Sequence, residues 1–365
     1  MNTKEVISPQ QLFVLILFHQ TGTSVVVGIA AEAKQDAWIA VLAATLFGVL
    51  IMYMYCLLSR LCPGNNLYEM MEASFGKWAA MLLSLPYILY FFYIASRVLR
   101  DFSELLVTDV LPQTPIEAIS ILFMIAVIYI LYLGPEVLAR SAQIFLPYFI
   151  LFLLMISAFL LIGGDIDLQR LRPILADGLQ PIAKAVFPTL IGFPFGEAIV
   201  ITIVMAQFNP LKKLTRTSLW AVVTVGLFLS YHTALKLAVL GPEMAERSTF
   251  PLLSAVREVS IANFIERLDA LVVFIMMLGI LVKISLFFFS GLKGLEYLFR
   301  IPYRQFIVPT GLLISIFAQL IAGNFSEHIE EGVKFVPLYL HMPFQIGFPL
   351  LLLLILYVKA RWKEG

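Results

Sequence analysis

Residues 187–197 read FPTLIGFPFGE, and their two prolines and two glycines interrupt an otherwise apolar run from 182 to 206. Proline removes a backbone donor, and glycine tolerates backbone angles that other residues avoid. The stretch therefore predicts a helix that breaks in the middle of a membrane span. A bilayer tolerates irregular backbone only where it lines a cavity or is buried in protein. A kink filled by neighbouring side chains is the alternative interpretation.

The composition of the whole chain places this run in a membrane. Of 365 residues, 61% are hydrophobic and 13% are charged, whereas a soluble domain typically has about 25% charged residues. The charge is low everywhere, which excludes both a soluble protein and a soluble domain on one anchor helix. Lys and Arg number 25 against 24 Asp and Glu, so the chain has no basic field for nucleic acid. We expect a polytopic membrane protein surrounded by lipid.

Ten apolar runs are long enough to cross a bilayer, which takes about 20 residues. We expect them to form a single transmembrane domain over residues 1–365, with the first run retained as a span because no small-residue cleavage site ends it. The ten predicted spans are 9–31, 36–59, 78–99, 115–133, 138–162, 182–206, 215–240, 265–289, 305–324 and 337–358.

The positive charges of the loops predict that both termini are cytoplasmic. With that orientation thirteen Lys and Arg lie inside and ten outside, and two lie within spans. The inner loops are short and basic, whereas the outer segments 163–181 and 241–264 are longer and mixed in charge. Positive charge in short loops marks the cytoplasmic side.

A second candidate break lies in the first span, where His19–Ser24 reads HQTGTS. Spans one and six are five apart, and an odd offset inverts the topology. The pattern predicts an all-α fold of two five-helix repeats, 9–162 and then 182–324 with 337–358, related by a pseudo-two-fold axis in the membrane plane. Paired interrupted spans are typical of transporters with a central binding site.

Three motifs resemble the B subunit of bacterial spore germinant receptors. They are Asp36–Ile39 (DAWI), Ser96–Phe102 (SRVLRDF) and Phe193–Glu197 (FPFGE). The resemblance covers essentially the whole chain. It implies the amino acid–polyamine–organocation superfamily, with the five-plus-five inverted repeat first seen in a leucine transporter. It also implies a place in the spore inner membrane, beside an A subunit and a C-subunit lipoprotein, and binding of a small nutrient, often an amino acid.

Three functions remain open at this point. The leading hypothesis is a germinant-sensing subunit that signals to its partners, the rival is a proton- or sodium-coupled amino-acid permease, and the third is a scaffold without a ligand. No nucleotide loop, catalytic triad or HExxH motif is present, so we expect no enzyme and no cofactor. Neither the two cysteines nor the scattered His19, His232 and His341 predict a metal site.

The ligand-binding candidates come from the two breaks and the third span. Broken helices leave backbone groups free for a polar ligand, although Ser and Thr hydroxyls also bond back to their own helix. On the third span Tyr90, Tyr93 and Arg97 share one face, with interfacial anchoring as the alternative role. The candidates are Thr21, Gly22, Thr23 and Ser24 at the first break, Phe193, Phe195, Gly196 and Glu197 at the second, and Tyr90 and Tyr93 on span three.

We expect one central cavity between these elements. The resemblance implies that an aromatic residue at the second break covers the ligand, and Tyr93 is the preferred tyrosine. Arg97 is expected to be vestibular or structural. The residues expected around the cavity are Thr21, Gly22, Tyr93, Phe195 and Gly196.

Glu197 and Lys283 are the ionisable residues that lie deepest. Spans six and eight run in the same predicted direction, and at 1.5 Å per residue the two depths differ by only about 5 Å. Opposite charges at one depth are expected to meet, because a lone buried charge is costly. The alternative is that Lys283 snorkels and Glu197 caps its half-helix.

The resemblance adds a role for this region, because superfamily members hold a cation between spans one and eight. Lys283, with Ser285 two residues on, is therefore a candidate ion-site or switch residue. Lys236 lies near an outer end and is expected to snorkel.

Overall fold

The computed structural model describes residues 6–163, 166–258 and 268–364, and these ranges are almost entirely helical. The helices up to residue 163 are α1 (Pro9–Thr21), α2 (Ala37–Leu61), α3 (Leu67–Phe75), α4 (Lys77–Asp109), α5 (Ile116–Leu133) and α6 (Pro135–Gly163). Those that follow are α7 (Gln180–Lys184), α8 (Ile201–Met205), α9 (Leu214–Leu240), α10 (Pro242–Arg247), α11 (Pro251–Glu258), α12 (Asp269–Phe299), α13 (Ile307–Leu320), α14 (Phe325–Lys334) and α15 (Phe348–Glu364). Two π-helical stretches, Ala185–Phe195 and Val336–Gly347, complete spans six and ten.

Each of the ten predicted spans contains a helix. Eight helical stretches in the described ranges are long and apolar enough to cross a membrane, or nine if the bent pair α13 and α14 counts as one. The first span is not among them, because its helix α1 ends after only 13 residues. The predicted start of span eight lies outside the described residues, and its helix is described from Asp269.

A complete capping box fixes the start of α1. Ser8 accepts a hydrogen bond from the backbone of Gln11, and the Gln11 side chain accepts one from the Ser8 backbone. Pro9 stands at the first helical position, where its missing N–H costs nothing. The start of the first half-helix is therefore well defined.

The centre of the bundle is formed by α1, which packs against α6, α9 and α12. Gly22 and Gly279 meet where the end of α1 crosses α12, and a Cβ built on Gly22 would lie 2.8 Å from the Gly279 carbonyl. Phe18 of α1 packs edge-on against Phe149 of α6, with ring centroids 4.9 Å apart. Small and aromatic residues thus bring the half-helix close to its neighbours, as is usual where lipid offers no hydrophobic driving force.

Candidate functional site

Both predicted breaks are present, and this part of the fold prediction is confirmed. In span one, helix α1 ends at Thr21 and is followed by turns as far as residue 27. In span six, Phe187 and Phe193 adopt extended backbone angles inside the stretch Ala185–Phe195, and each is followed by a proline. Interrupted backbone in the middle of two spans leaves carbonyl oxygens without helical partners.

A buried ion pair connects the two breaks with α12. The Lys283 ammonium lies 2.6 Å from Oε2 of Glu197, and both side chains are at most 4% exposed. The same ammonium donates to the Thr23 hydroxyl at 3.0 Å and lies 4.4 Å from the centre of the Phe193 ring. The predicted contact between these opposite charges is present, and the alternative that Lys283 snorkels is wrong. Whether the pair acts as a switch stays a prediction.

A second lysine, Lys236, also reaches the first break. The expectation that it snorkels to the membrane surface is wrong. Lys236 of α9 is 3% exposed, and its ammonium donates to the Val25 carbonyl at 3.2 Å. It does not snorkel, because the broken span leaves a carbonyl oxygen without a helical partner at this depth. A lysine in an apolar run with His232 four residues earlier was the available signal, since this spacing puts both on one helix face.

Neutral donors satisfy the carbonyl oxygens of the second break. Gln20 of α1 donates to the Phe195 carbonyl at 3.4 Å, and Tyr55 of α2 donates to the Gly196 carbonyl at 3.1 Å. The Glu197 carbonyl oxygen accepts a hydrogen bond from Nε2 of His19 at 3.0 Å. Residues just before the first break therefore brace the second, so the two breaks form one hydrogen-bonded unit.

A cavity of about 360 Å³ opens between the two breaks, α4, α10 and α14. Three of the ligand candidates line it, namely Thr23, Phe193 and Glu197. Its polar lining also includes Glu32, Arg97, Asp101, Thr189, Glu246, Arg247, Ser248, Thr249 and His341. Its apolar wall includes Val27, Ile29, Ile94, Val98, Leu190 and Val336.

None of the five residues expected around one cavity lines this one. Gly22 faces the backbone of α12, and Gly196 faces the Gln345 side chain. The Phe195 ring covers Gly48 of α2, where a Cβ would lie 2.5 Å from the ring. These residues serve contacts between helices, because a missing or flat side chain allows close approach there as well as around a ligand.

The hydroxyls near the first break divide between two roles. Thr21 donates to the Leu17 carbonyl at 2.7 Å, and Ser24 donates to the Gln20 carbonyl at 2.7 Å. Both bond back to their own segment, which is the alternative stated for such residues. Only Thr23 turns toward the cavity and the ion pair. Ser285 is buried in α12, and it does not line the cavity.

Tyr90 belongs to a polar cluster with span ten. Its hydroxyl lies 2.9 Å from Nδ1 of His341 and accepts from Nε2 of Gln345 at 2.7 Å. Its ring stacks on Phe344 with centroids 4.8 Å apart. His341 lines the cavity, and Tyr90 lies behind it. The sequence analysis therefore selected the residue farther from the cavity and gave His341 no role in ligand binding.

The outer end of α4 is fastened to α14. Arg97 makes an ion pair with Glu331 at 3.0 Å and donates to the His328 carbonyl at 2.5 Å, while Asp101 contacts Nε2 of His328 at 2.8 Å. Tyr93 donates to Glu331 at 3.2 Å and points to this rim rather than into the cavity. The preference for Tyr93 in the cavity is wrong, because α14 supplies acceptors that the sequence did not connect with span three. Arg97 has the vestibular position that was expected.

Comparison of the sequence with known proteins identifies a family for this chain. The family model described as spore germination protein covers residues 6–325. The chain belongs to the spore germination protein family. It is 36% identical over 359 residues to spore germination protein KB of Bacillus subtilis, and the match covers 98% of this chain and 95% of that protein. Members of this family are membrane proteins without enzymatic activity.

Two solved structures share the fold of this family member. Mhp1, a nucleobase-cation-symport-1 family transporter with bromovinylhydantoin bound, aligns with a TM-score of 0.68 at 12% identity, over 89% of this chain and 76% of its own. MhsT in complex with L-phenylalanine aligns with a TM-score of 0.64 at 14% identity, over 99% and 91%. The all-α leucine-transporter-like fold with broken helices one and six is therefore confirmed. The residue boundaries of the two repeats stay a prediction.

Proposed function

We propose that this member of the spore germination protein family is a germinant-sensing membrane subunit that binds a small nutrient in the central cavity. The observation that carries the proposal is the 360 Å³ cavity that meets both breaks and ends on the buried pair of Glu197 and Lys283. Ligand pockets typically measure about 300–1,000 Å³, so this one suits a small molecule. Broken helices at such a cavity are typical of ligand-binding transporter folds.

The lining of the cavity favours an amino acid as the nutrient. Arg97 stands at the rim with a guanidinium that suits a carboxylate, while Glu197 and Asp101 offer carboxylates to an ammonium. On the same face of α4, Ile94 and Val98 provide an apolar wall for a side chain. Groups of both charges beside an apolar wall match a zwitterion with a hydrophobic substituent.

Signalling would follow from a shift of the two breaks relative to α12. A ligand biases a two-state equilibrium only as far as it binds the two states differently. A nutrient that touches Thr23 and Glu197 acts on two groups in contact with Lys283, and so on the joint between the breaks and the bundle. We further propose that an A subunit and a C-subunit lipoprotein read this shift in the spore inner membrane, with both termini of the chain on the spore-core side.

The test uses the complete receptor and a matched pair of variants. Germination dose–response curves are recorded for amino acids, sugars and nucleosides with the unmodified chain, with Thr189→Val in the cavity and with Thr224→Val on the exposed face of α9. Thr189→Val is expected to shift the half-maximal nutrient concentration, because it removes a hydroxyl from the cavity wall, while Thr224→Val leaves it unchanged. Equal curves for all three chains would support a scaffold without a ligand.

An amino-acid permease driven by protons or sodium is the alternative function, and its support is that one solved neighbour is a transporter with a small molecule bound and another binds L-phenylalanine. Fold alone does not separate sensing from transport. Uptake of labelled amino acids into proteoliposomes separates them. Net flux by the chain without partner subunits would support the permease, whereas binding without flux would support the sensor.

A further inference from the structure

A groove with a volume of about 670 Å³ lies between α1, α6 and α9, apart from the central cavity. It begins at Pro9 and Gln10 in the first turn of α1 and at Lys213, directly before α9. It shares no lining residue with the central cavity, and the first half of broken span one, α1, forms one of its walls. Its lining includes Gln10, Phe13, Leu146, Lys213, Arg216 and Trp220.

The charge in this groove has one sign. Lys213 and Arg216 line it together with Thr217, and among the described residues no acidic side chain does. Both cations are exposed, and within the described ranges neither has a carboxylate partner. Gln10 adds a side-chain amide at the start of α1. The groove therefore presents an uncompensated positive end.

Apart from Gln143 of α6, the rest of the groove is apolar, and it continues along the same face of α9. Lys213, Arg216, Thr217 and Trp220 follow the spacing i, i+3, i+4 and i+7, so they share one side of the start of α9. Trp220 is 59% exposed, and Phe13 and Leu146 form the facing wall. Along α9 the cations come first and the apolar side chains follow, which matches the change from the polar membrane interface to the hydrocarbon core. Trp220 then lies near the interface, where Trp is enriched.

We propose that this groove binds an anionic phospholipid. The phosphate lies between Lys213 and Arg216, and one acyl chain follows Phe13, Leu146 and Trp220. A free phosphate would leave the apolar wall unused, and a neutral phospholipid would leave the two cations uncompensated, so the combination selects an anionic lipid. A lipid seated there contacts α1, α6 and α9 at once, and so holds the first half-helix against its neighbours.

The test measures bound lipid on the purified full-length chain. Samples are exchanged into phosphatidylglycerol or phosphatidylcholine nanodiscs, extracted gently, and examined by native mass spectrometry for retained phospholipid. Lys213→Gln and Arg216→Gln are each expected to weaken phosphatidylglycerol retention about fivefold, and the double variant about thirtyfold, which corresponds to about 1 kcal/mol for each cation. Lys212→Gln is the matched control, because this neighbouring cation is exposed and lines a different cavity.

Two further arms identify the bound group. Trp220→Ser is expected to weaken phospholipid retention, because the indole contacts the acyl chain. It should not change how much phospholipid added glycerol phosphate displaces, because the indole does not contact the phosphate. Equal retention of phosphatidylcholine, an unchanged double variant, or a loss with Lys212→Gln as large as with Lys213→Gln would each overturn the proposal. Displacement of the phospholipid by equimolar glycerol phosphate would also overturn it, because a free phosphate would then be the ligand.

Discussion

The two breaks free carbonyl oxygens in the same way but satisfy them with different chemistry. At the first break the donors are ammonium groups, with Lys236 on the Val25 carbonyl and Lys283 on the Thr23 hydroxyl. At the second break neutral groups donate, including Tyr55 to the Gly196 carbonyl. Hydrogen bonds that involve a charge contribute about 1.5–3 kcal/mol, against about 0.5–1.5 kcal/mol for neutral ones. The difference indicates that charged donors hold the first break, whereas neutral hydrogen bonds hold the carbonyl oxygens of the second, whose charged side chain, Glu197, pairs with Lys283.

Breaking the ion pair should have the largest effect. Lys283→Met leaves the Glu197 carboxylate buried without its partner, which typically costs about 3–5 kcal/mol. We expect a lower unfolding temperature of the purified chain and loss of the germination response, provided that enough protein accumulates to be assayed.

The double variant Lys283→Met with Glu197→Gln is the control. It should recover most of the lost stability, because no uncompensated charge remains, while the germination response stays absent. A normal response of Lys283→Met would show that the pair has no signalling role. A double variant no more stable than the single one would show that the pair does not hold the breaks together through charge.

Removing the second ammonium tests whether charge matters across the whole first break. Lys236→Met leaves the Val25 carbonyl without its donor, and we expect a loss of about 1.5–3 kcal/mol in the free energy of unfolding. Lys184→Met is the matched change at an exposed position and should stay within about 0.5 kcal/mol of the unmodified chain. Equal denaturation midpoints for the two variants would mean that Lys236 contributes nothing to the first break.

Two glycines at the first break separate helix packing from ligand space. Gly22→Ala forces a methyl group against the Gly279 backbone, and overpacking of this kind costs about 1–3 kcal/mol. Gly28 lines the cavity, and its added Cβ would have its nearest contact at 3.4 Å from the Pro251 side chain. Gly22→Ala should therefore lower the amount of folded protein in the membrane, whereas Gly28→Ala should keep that amount and shift the nutrient dose response. The reverse pattern would return Gly22 to the ligand site.

The smallest effect is expected at the second break. Tyr55→Phe removes the hydroxyl that contacts the carbonyls of Gly196 and Gln345, and loss of a neutral hydrogen bond costs about 0.5–1.5 kcal/mol. The unfolding free energy of this variant should lie between that of Lys236→Met and that of the unmodified chain. If Tyr55→Phe is less stable than Lys236→Met, the contrast between a charged and a neutral break is wrong.

Much of the site was predictable, because its determinants are local in sequence. Prolines and glycines at 187–197 interrupt a helix wherever that helix stands, and the rise per residue places Glu197 and Lys283 at one depth. Both features follow from local backbone geometry within one helix. His341 was missed because a single histidine in an apolar run carries no local signal of the Tyr90 hydroxyl that faces it.

The sequence by itself determined the membrane class, the ten spans, the two breaks and the depth of the buried charges. Only the tertiary structure decided which side of each break faces the cavity: Thr23 rather than Gly22, and Phe193 rather than Phe195. It also decided that Lys236 turns inward, and that three helices far apart in sequence form the basic groove. Depth along a helix depends on residue count alone, whereas the direction of a side chain around the helix axis acquires meaning only from the neighbours that pack there.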